Sequence, residues 1–177
     1  AAALGAAPRG RALDRPEPDA VNRPELLPAG PPGQEVVIDL QRVLTGGQRS
    51  RLEFLIRKVE QRTGYRLRVI SQRYPETPGA ALRDYWGVDG KTVVVVAEEG
   101  GPEAAAQVKF NIGEFVKLDL PPAYWVRVKQ QFGSKAQVAR RGLNQAVSDA
   151  VANICACLLS AQCTDGRPLP ESEVSTV

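Results

Sequence analysis

Histidine and methionine are absent from this 177-residue chain, and aromatic side chains make up only 6% of it. Without histidine, the commonest general base and the commonest transition-metal ligand are gone. Ser-His-Asp catalysis, Cys-His catalysis and His-ligated zinc are therefore excluded. No apolar run approaches the ~20 residues that cross a bilayer as a helix, which points to a soluble or peripheral protein. A net charge of +3 is too mild to indicate nucleic acid. Nor do the few aromatics interleave with basic residues, as single-strand binding requires. Cysteine is scarce and confined to Cys155, Cys157 and Cys163. An odd number leaves at least one without a partner in the chain. Cys157 and Cys163 are spaced to close a short loop, whereas Cys155 and Cys157, two apart on a helix, point away from each other. One disulfide and three free thiols both fit this pattern.

The stretch from Val36 to Ala97 carries the strongest local signals. Thr45 with Gln48 forms a capping box that opens a helix. Leu52, Leu55, Ile56 and Val59 follow at helical spacing, and Gly64 provides a left-handed stop. Val36 to Leu40 is a short β-rich run before that helix. Tyr65 to Ser71 alternates as a strand with one wetter face, and Gln72 to Gly79 reads as a loop. Ala80 to Trp86 is a short helix, and Thr92 to Ala97 is apolar on consecutive positions, as in a strand covered on both faces. Two strands joined by a helical segment predict a right-handed parallel crossover. Glu98 to Ala106 is a turn region, and Gln107 to Gly113 predicts a strand antiparallel to the valine strand.

Asp119 with Pro121 and Pro122 predicts a helix start, carrying Tyr124, Trp125, Val128 and Phe132. Ser134 is expected to cap one longer helix, with Val138, Leu143, Ala146, Val147, Ala150, Val151, Ile154 and Leu158 inward. The fold class is α/β, a layered sandwich with a mixed sheet of about four strands flanked by helices. Residues 35–163 form the domain, between a proline-rich N-terminal tail (1–34) and a polar, frayed C-terminal tail (164–177). The tail opens on Ala1 to Ala7, which reads either as the remnant of a signal-cleavage site or as a flexible start. Leu26 and Leu27, between Pro24 and Pro28, form a short apolar anchor.

Two groups of residues offer chemistry. Asp39, Asp84, Asp89 and Asp119 all fall at predicted ends of elements, where α/β sheets hold ligands. Together they would suit a hard cation such as calcium, or a water poised for phosphate-ester hydrolysis. The plainer alternative gives Asp119 to a helix cap, Asp89 to an Asp-Gly turn and Asp84 to solvent. Lys117, Arg127, Lys129, Lys135, Arg140 and Arg141 fall in a span whose only acid is Asp119. Such a span either steers an acidic partner or is a solvated helical face. Trp86 and Trp125 read as core.

Val37-Ile38-Asp39, Leu44-Thr45, Thr63-Gly64-Tyr65-Arg66-Leu67-Arg68-Val69, Asp84-Tyr85-Trp86, the valine strand and Asn111-Ile112-Gly113 follow one another in an order that resembles the TPM domain. That family is named for thylakoid-lumen, photosystem II and acetylcholine-receptor-modulating members. Asn22 to Pro28, Tyr74 to Gly79, and Val116 to Pro121 followed by Trp125 are similar to the thylakoid lumenal 15 kDa proteins of plants and algae. The likeness covers residues 22–157. It implies a lumenal α/β sandwich in the chloroplast, tied to photosystem II assembly, repair or stability, with acid phosphatase activity or calcium binding in some members. Where the common pattern is richer in glycine, this chain reads Gly113-Glu114-Phe115-Val116-Lys117. Lumenal placement would also favour a disulfide, Cys157 with Cys163 being the candidate pair.

Three functions are thus in view. The first is a non-enzymatic lumenal accessory protein docking on a photosystem complex in the thylakoid membrane through the basic helices and the Leu26-Leu27 anchor. The second is a metal-assisted acid phosphatase built on the four aspartates. The third is a redox-sensitive protein acting through its cysteines.

Overall fold

The computed structural model describes residues 21–101 and 107–176. The reading of Ala1 to Ala7, and the part of the Glu98–Ala106 turn beyond Gly101, fall outside the described residues. In chain order come β1 (Val21–Asn22), a 3-10 turn (Pro24–Leu26), β2 (Val37–Asp39), α1 (Gly46–Thr63), β3 (Arg66–Arg73), β4 (Glu76–Thr77) and α2 (Ala81–Trp86). They are followed by β5 (Thr92–Glu99), β6 (Val108–Ile112), α3 (Val116–Asp119), α4 (Pro122–Val128), a π-turn (Lys129–Gly133), α5 (Lys135–Arg141), α6 (Leu143–Ser160) and α7 (Glu171–Val174).

The capping box at α1 forms as expected: Thr45 Oγ1 accepts from the Gln48 amide, and Gln48 Oε1 accepts from the Thr45 amide. Gly64 ends the helix with φ 76°. Leu52, Leu55, Ile56 and Val59 are all buried against the sheet, a burial worth roughly 6–10 kcal/mol before chain entropy is set against it.

The main sheet has the order β2-β3-β5-β6, parallel except for β6, which pairs antiparallel with β5. Its two faces alternate along each strand. Val37, Leu67, Val69, Val93, Val95 and Ala97 pack with α1, α4 and α6 on one side. Ile38, Ile70, Val94 and Val96 pack with Leu82 and Trp86 of α2, and with Leu27, on the other. The valine run is therefore covered on both faces, because alternate valines serve different cores. The crossovers β2-α1-β3 and β3-α2-β5 step the same way across the sheet yet place their helices on opposite faces. They therefore have opposite hands, and β3 pairs parallel with β5, as expected of the second crossover.

Four further expectations are corrected. Leu67 to Ser71 are all buried, with no wetter face. Arg68 lies inside, its guanidinium donating to Glu60 at 3.2 Å and to the Leu67 carbonyl at 2.8 Å. The Gln72–Gly79 loop contains β4, which forms a two-stranded parallel ribbon with β1. The single helix after Ser134 is two helices, broken where Gly142 takes φ 86° and ψ 149°. Finally, the segment after Asp165 is packed rather than frayed. Arg127 donates to the Gly166 carbonyl at 2.7 Å, Asn153 donates to the Leu169 carbonyl at 2.8 Å, and Leu169 is buried.

Strand β2 is a sheet edge, and side chains bond carbonyls at its start and just before it. Arg57, Trp86 and Arg49 donate to the carbonyls of Gln34, Glu35 and Val37. That blunts an edge otherwise open to pairing with another chain.

Candidate functional site

The carboxyl ends of β2, β3 and β5 are where a parallel sheet offers a site, and Asp39 stands there. Asp39 Oδ1 accepts from the Val43 amide and Oδ2 from the Leu44 amide, both at 2.9 Å. The buried Ser71 hydroxyl also donates to Oδ1, and in turn accepts from the Gln41 amide at 3.0 Å. Asp39 thus folds the β2-α1 loop back over the sheet, the usual work of an aspartate that bonds amides a few residues on. Beneath it is a cavity of about 10 Å³ lined by residues including Val37, Val69, Ser71, Ala97 and Val147, room for about one water. Outward from it, Arg73 links Gln41 (3.2 Å) to Glu99 (2.8 Å). Beside this, the buried Glu98 accepts from Gln72 (2.8 Å) and Lys109 (2.7 Å). These groups satisfy one another.

The other aspartates lie elsewhere. Asp89 sits just before β5, where it accepts from the Lys91 amide (2.9 Å) and Thr92 Oγ1 (2.9 Å) and pairs with Arg66 (2.8 Å). Burial alone would raise its carboxyl, but the Lys91 amide, Arg66 and Thr92 outweigh this and hold it below the usual range. Asp119 is not a helix cap. It ends α3, its carboxylate accepts the Tyr65 phenol, and Pro121 takes the cap position of α4. That hydrogen bond, with burial and the Asp119 charge, pushes the Tyr65 phenol up to about 12. Asp84 is exposed near the end of α2. Asp39 pairs in register with Ser71, whereas the Asp89 turn borders Thr92, which pairs with Arg66. Five strand positions, about 16 Å, separate those rows. The structure brings Asp89 and Asp119 to one edge and leaves Asp39 on the other. Among the described residues, no group of three His, Cys, Asp or Glu side chains is placed to hold a metal ion.

The six basic residues divide by what they touch. Arg127 is committed to the Gly166 carbonyl and Arg141 to Asp149 at 3.0 Å. Arg140 bonds the neutral Gln137, so its charge is unbalanced. Lys117, Lys129 and Lys135 are exposed. Leu26 is half-buried, and Leu27 packs on the α2 face of the sheet, so its apolar surface is used within the domain. Cys157 and Cys163 form a disulfide with a Cα–Cα distance of 5.6 Å. Cys155 is free and fully buried, and burial pushes its thiol up to about 12, which leaves almost no thiolate for redox chemistry at ordinary pH.

Sequence reasoning missed Tyr65 as the partner of Asp119 and Arg127 as a clasp on the C-terminal segment. Both join residues far apart in the chain, and no local spacing announces them.

With Asp39 ahead of α1, the parallel strands, and α6 closing the first face, residues 37–157 match the TPM domain family model. The chain belongs to the TPM domain family. It is 38% identical over 138 residues to the thylakoid lumenal 15.0 kDa protein 2, chloroplastic, of Arabidopsis thaliana. That match covers 78% of this chain and 59% of the relative, so the chain spans about three-fifths of the relative's length. The fold is similar to the solution structure of the N-terminal domain of a Porphyromonas gingivalis (P. gingivalis) protein, with TM-score 0.58 and 16% identity, over 76% of this chain and 90% of that one.

Proposed function

We propose that this TPM domain is a thylakoid-lumen accessory protein that docks on a photosynthetic membrane complex, serving photosystem assembly, repair or stability. The likeness to a thylakoid lumenal protein of Arabidopsis supports the compartment and the accessory role. One observation carries the docking surface. Between Lys117 and Arg141 there are six cations and one acid, Asp119. Lys117, Lys129 and Arg140 therefore present positive charge that steers an acidic partner and sets its register. Leu26 and Leu27 are half-buried, Leu27 against the α2 face of the sheet, so the cations are the main part of the docking surface. Reversing the charge of Lys129 and Arg140 together should release the protein from solubilised thylakoid complexes with its melting temperature unchanged. Undiminished association of that double variant would refute the surface.

A further inference from the structure

Residues 164–176 form a strap over α4 and α6, held down by one covalent bond and a few side chains. The strap leaves α6 through the Cys157–Cys163 disulfide. Arg127 of α4 donates to the Gly166 carbonyl at 2.7 Å, and the buried Asn153 of α6 donates to the Leu169 carbonyl at 2.8 Å. Each such hydrogen bond is of modest net worth. Leu169 is buried, and Gly166 lies so close to α4 that a Cβ there would stand 2.9 Å from the Ala123 Cβ. Past Leu169 the strap adds the four-residue α7. The loop closed by the disulfide carries two non-glycine residues in the left-handed region, Ala161 at φ 53° and Cys163 at φ 68°, a conformation that costs an L residue energy. Cys163 is 7% exposed and lies between the exposed Gln162 and Thr164. Opening of that loop alone brings its sulfur to solvent. The cross-link thus holds a strained turn shut and a lightly attached strap in place.

We propose that the Cys157–Cys163 disulfide is a redox latch on this strap, opened by a dithiol reductant. A thiolate of the dithiol attacks the Cys163 sulfur, forming a mixed disulfide as Cys157 leaves as thiolate. The second thiol of the dithiol then displaces Cys163. Two electrons and two protons pass to the protein, which ends with two thiols, and the dithiol ends as a disulfide. Residues 164–176 then lift from α4 and α6. Asn153 and Tyr124, bonded to each other at 3.0 Å, are opened to water, so losing the Leu169 carbonyl leaves no buried polar group orphaned. Arg127 is released from Gly166 and joins Lys129, two residues on. The departing strap carries Asp165, Glu171 and Glu173 against one cation, Arg167, so the uncovered face becomes more positive towards an acidic partner. Closed, the strap restrains docking; open, it enlarges the cationic surface. That consequence rests on the docking reading, whereas the latch itself does not.

The test compares the whole chain before and after reduction with dithiothreitol under native conditions, by amide exchange and by association with solubilised thylakoid complexes. Reduction should speed exchange from Gly166 to Val174 by about tenfold or more and leave β3 and β5 protected. The double variant Cys157→Ser, Cys163→Ser should exchange like the reduced protein and ignore dithiothreitol, while Cys155→Ala should respond like the wild type. Association should be several-fold tighter in the reduced protein than in the oxidised one. A disulfide that resists dithiothreitol while the fold is intact would overturn the proposal. So would reduction that leaves the strap protected, or that exposes β3 and β5 together with it. Equal association of the two forms would overturn the restraint on docking. Release of the strap as expected, with no association in either form, would sink the docking reading alone.

Discussion

Gly113 is where the β5-β6 pair closes against the Asp89-Gly90 turn. A Cβ there would collide with the Gly90 carbonyl and stand 2.9 Å from the Thr92 carbonyl oxygen. Both obstacles are backbone and cannot swing aside. Gly113→Ala should therefore cost about 1–3 kcal/mol, read as a lower denaturant midpoint with an unchanged slope. The neighbouring Asp89 sets a pH dependence. Its folded carboxyl lies below its unfolded value, so its contribution is complete above about pH 4 and lost as pH falls further. Asp89→Asn should flatten the acid limb of melting temperature against pH, and an equally steep limb would contradict the assignment. Tyr65 works in the opposite sense. Its phenol is raised to about 12 when folded, so its contribution is complete below about pH 10 and lost as pH rises from there to about 12. Tyr65→Phe should lower stability by about 0.5–1.5 kcal/mol at neutral pH and remove that part of the alkaline decline.

Elements whose signals are local were readable from sequence. The α1 helix carries its cap, stripe and stop within twenty residues, and β5 announced burial on both faces through its valines. The four-stranded sheet followed from those two and the alternation of β6. What stayed hidden depends on distant partners. Arg68 is tolerated inside because Glu60 on α1 meets it, and the strand's own pattern could not show that. The four aspartates looked equivalent at element ends, yet the register puts Asp39 at one edge and Asp89 at the other. The C-terminal segment looked frayed because the groups that clasp it, Arg127 and Asn153, belong to α4 and α6. The Cys157–Cys163 disulfide anchors the start of that segment. Replacing both cysteines with serine should cost about 2 kcal/mol for so short a loop. Amide exchange at Leu169 to Val174 should accelerate before exchange in β3 and β5 does. Simultaneous loss of protection in both regions would show that the segment is no separate unit.

At the scale of the whole molecule, α1, α4 and α6 close one face of the sheet, while α2 and Leu27 close the other. Positive charge is left on the helices after β6, on Lys117, Lys129 and Arg140. Side-chain bonds blunt the β2 edge, while β6 is the other edge of the sheet. Docking through those cations should show as an association rate that falls with ionic strength. Docking on a photosynthetic membrane complex is tested by native separation of gently solubilised thylakoid complexes with detection of this chain. Docking through the basic helices predicts migration with a large complex that is lost at raised salt. Migration solely as free monomer under conditions that keep the complexes intact would contradict it.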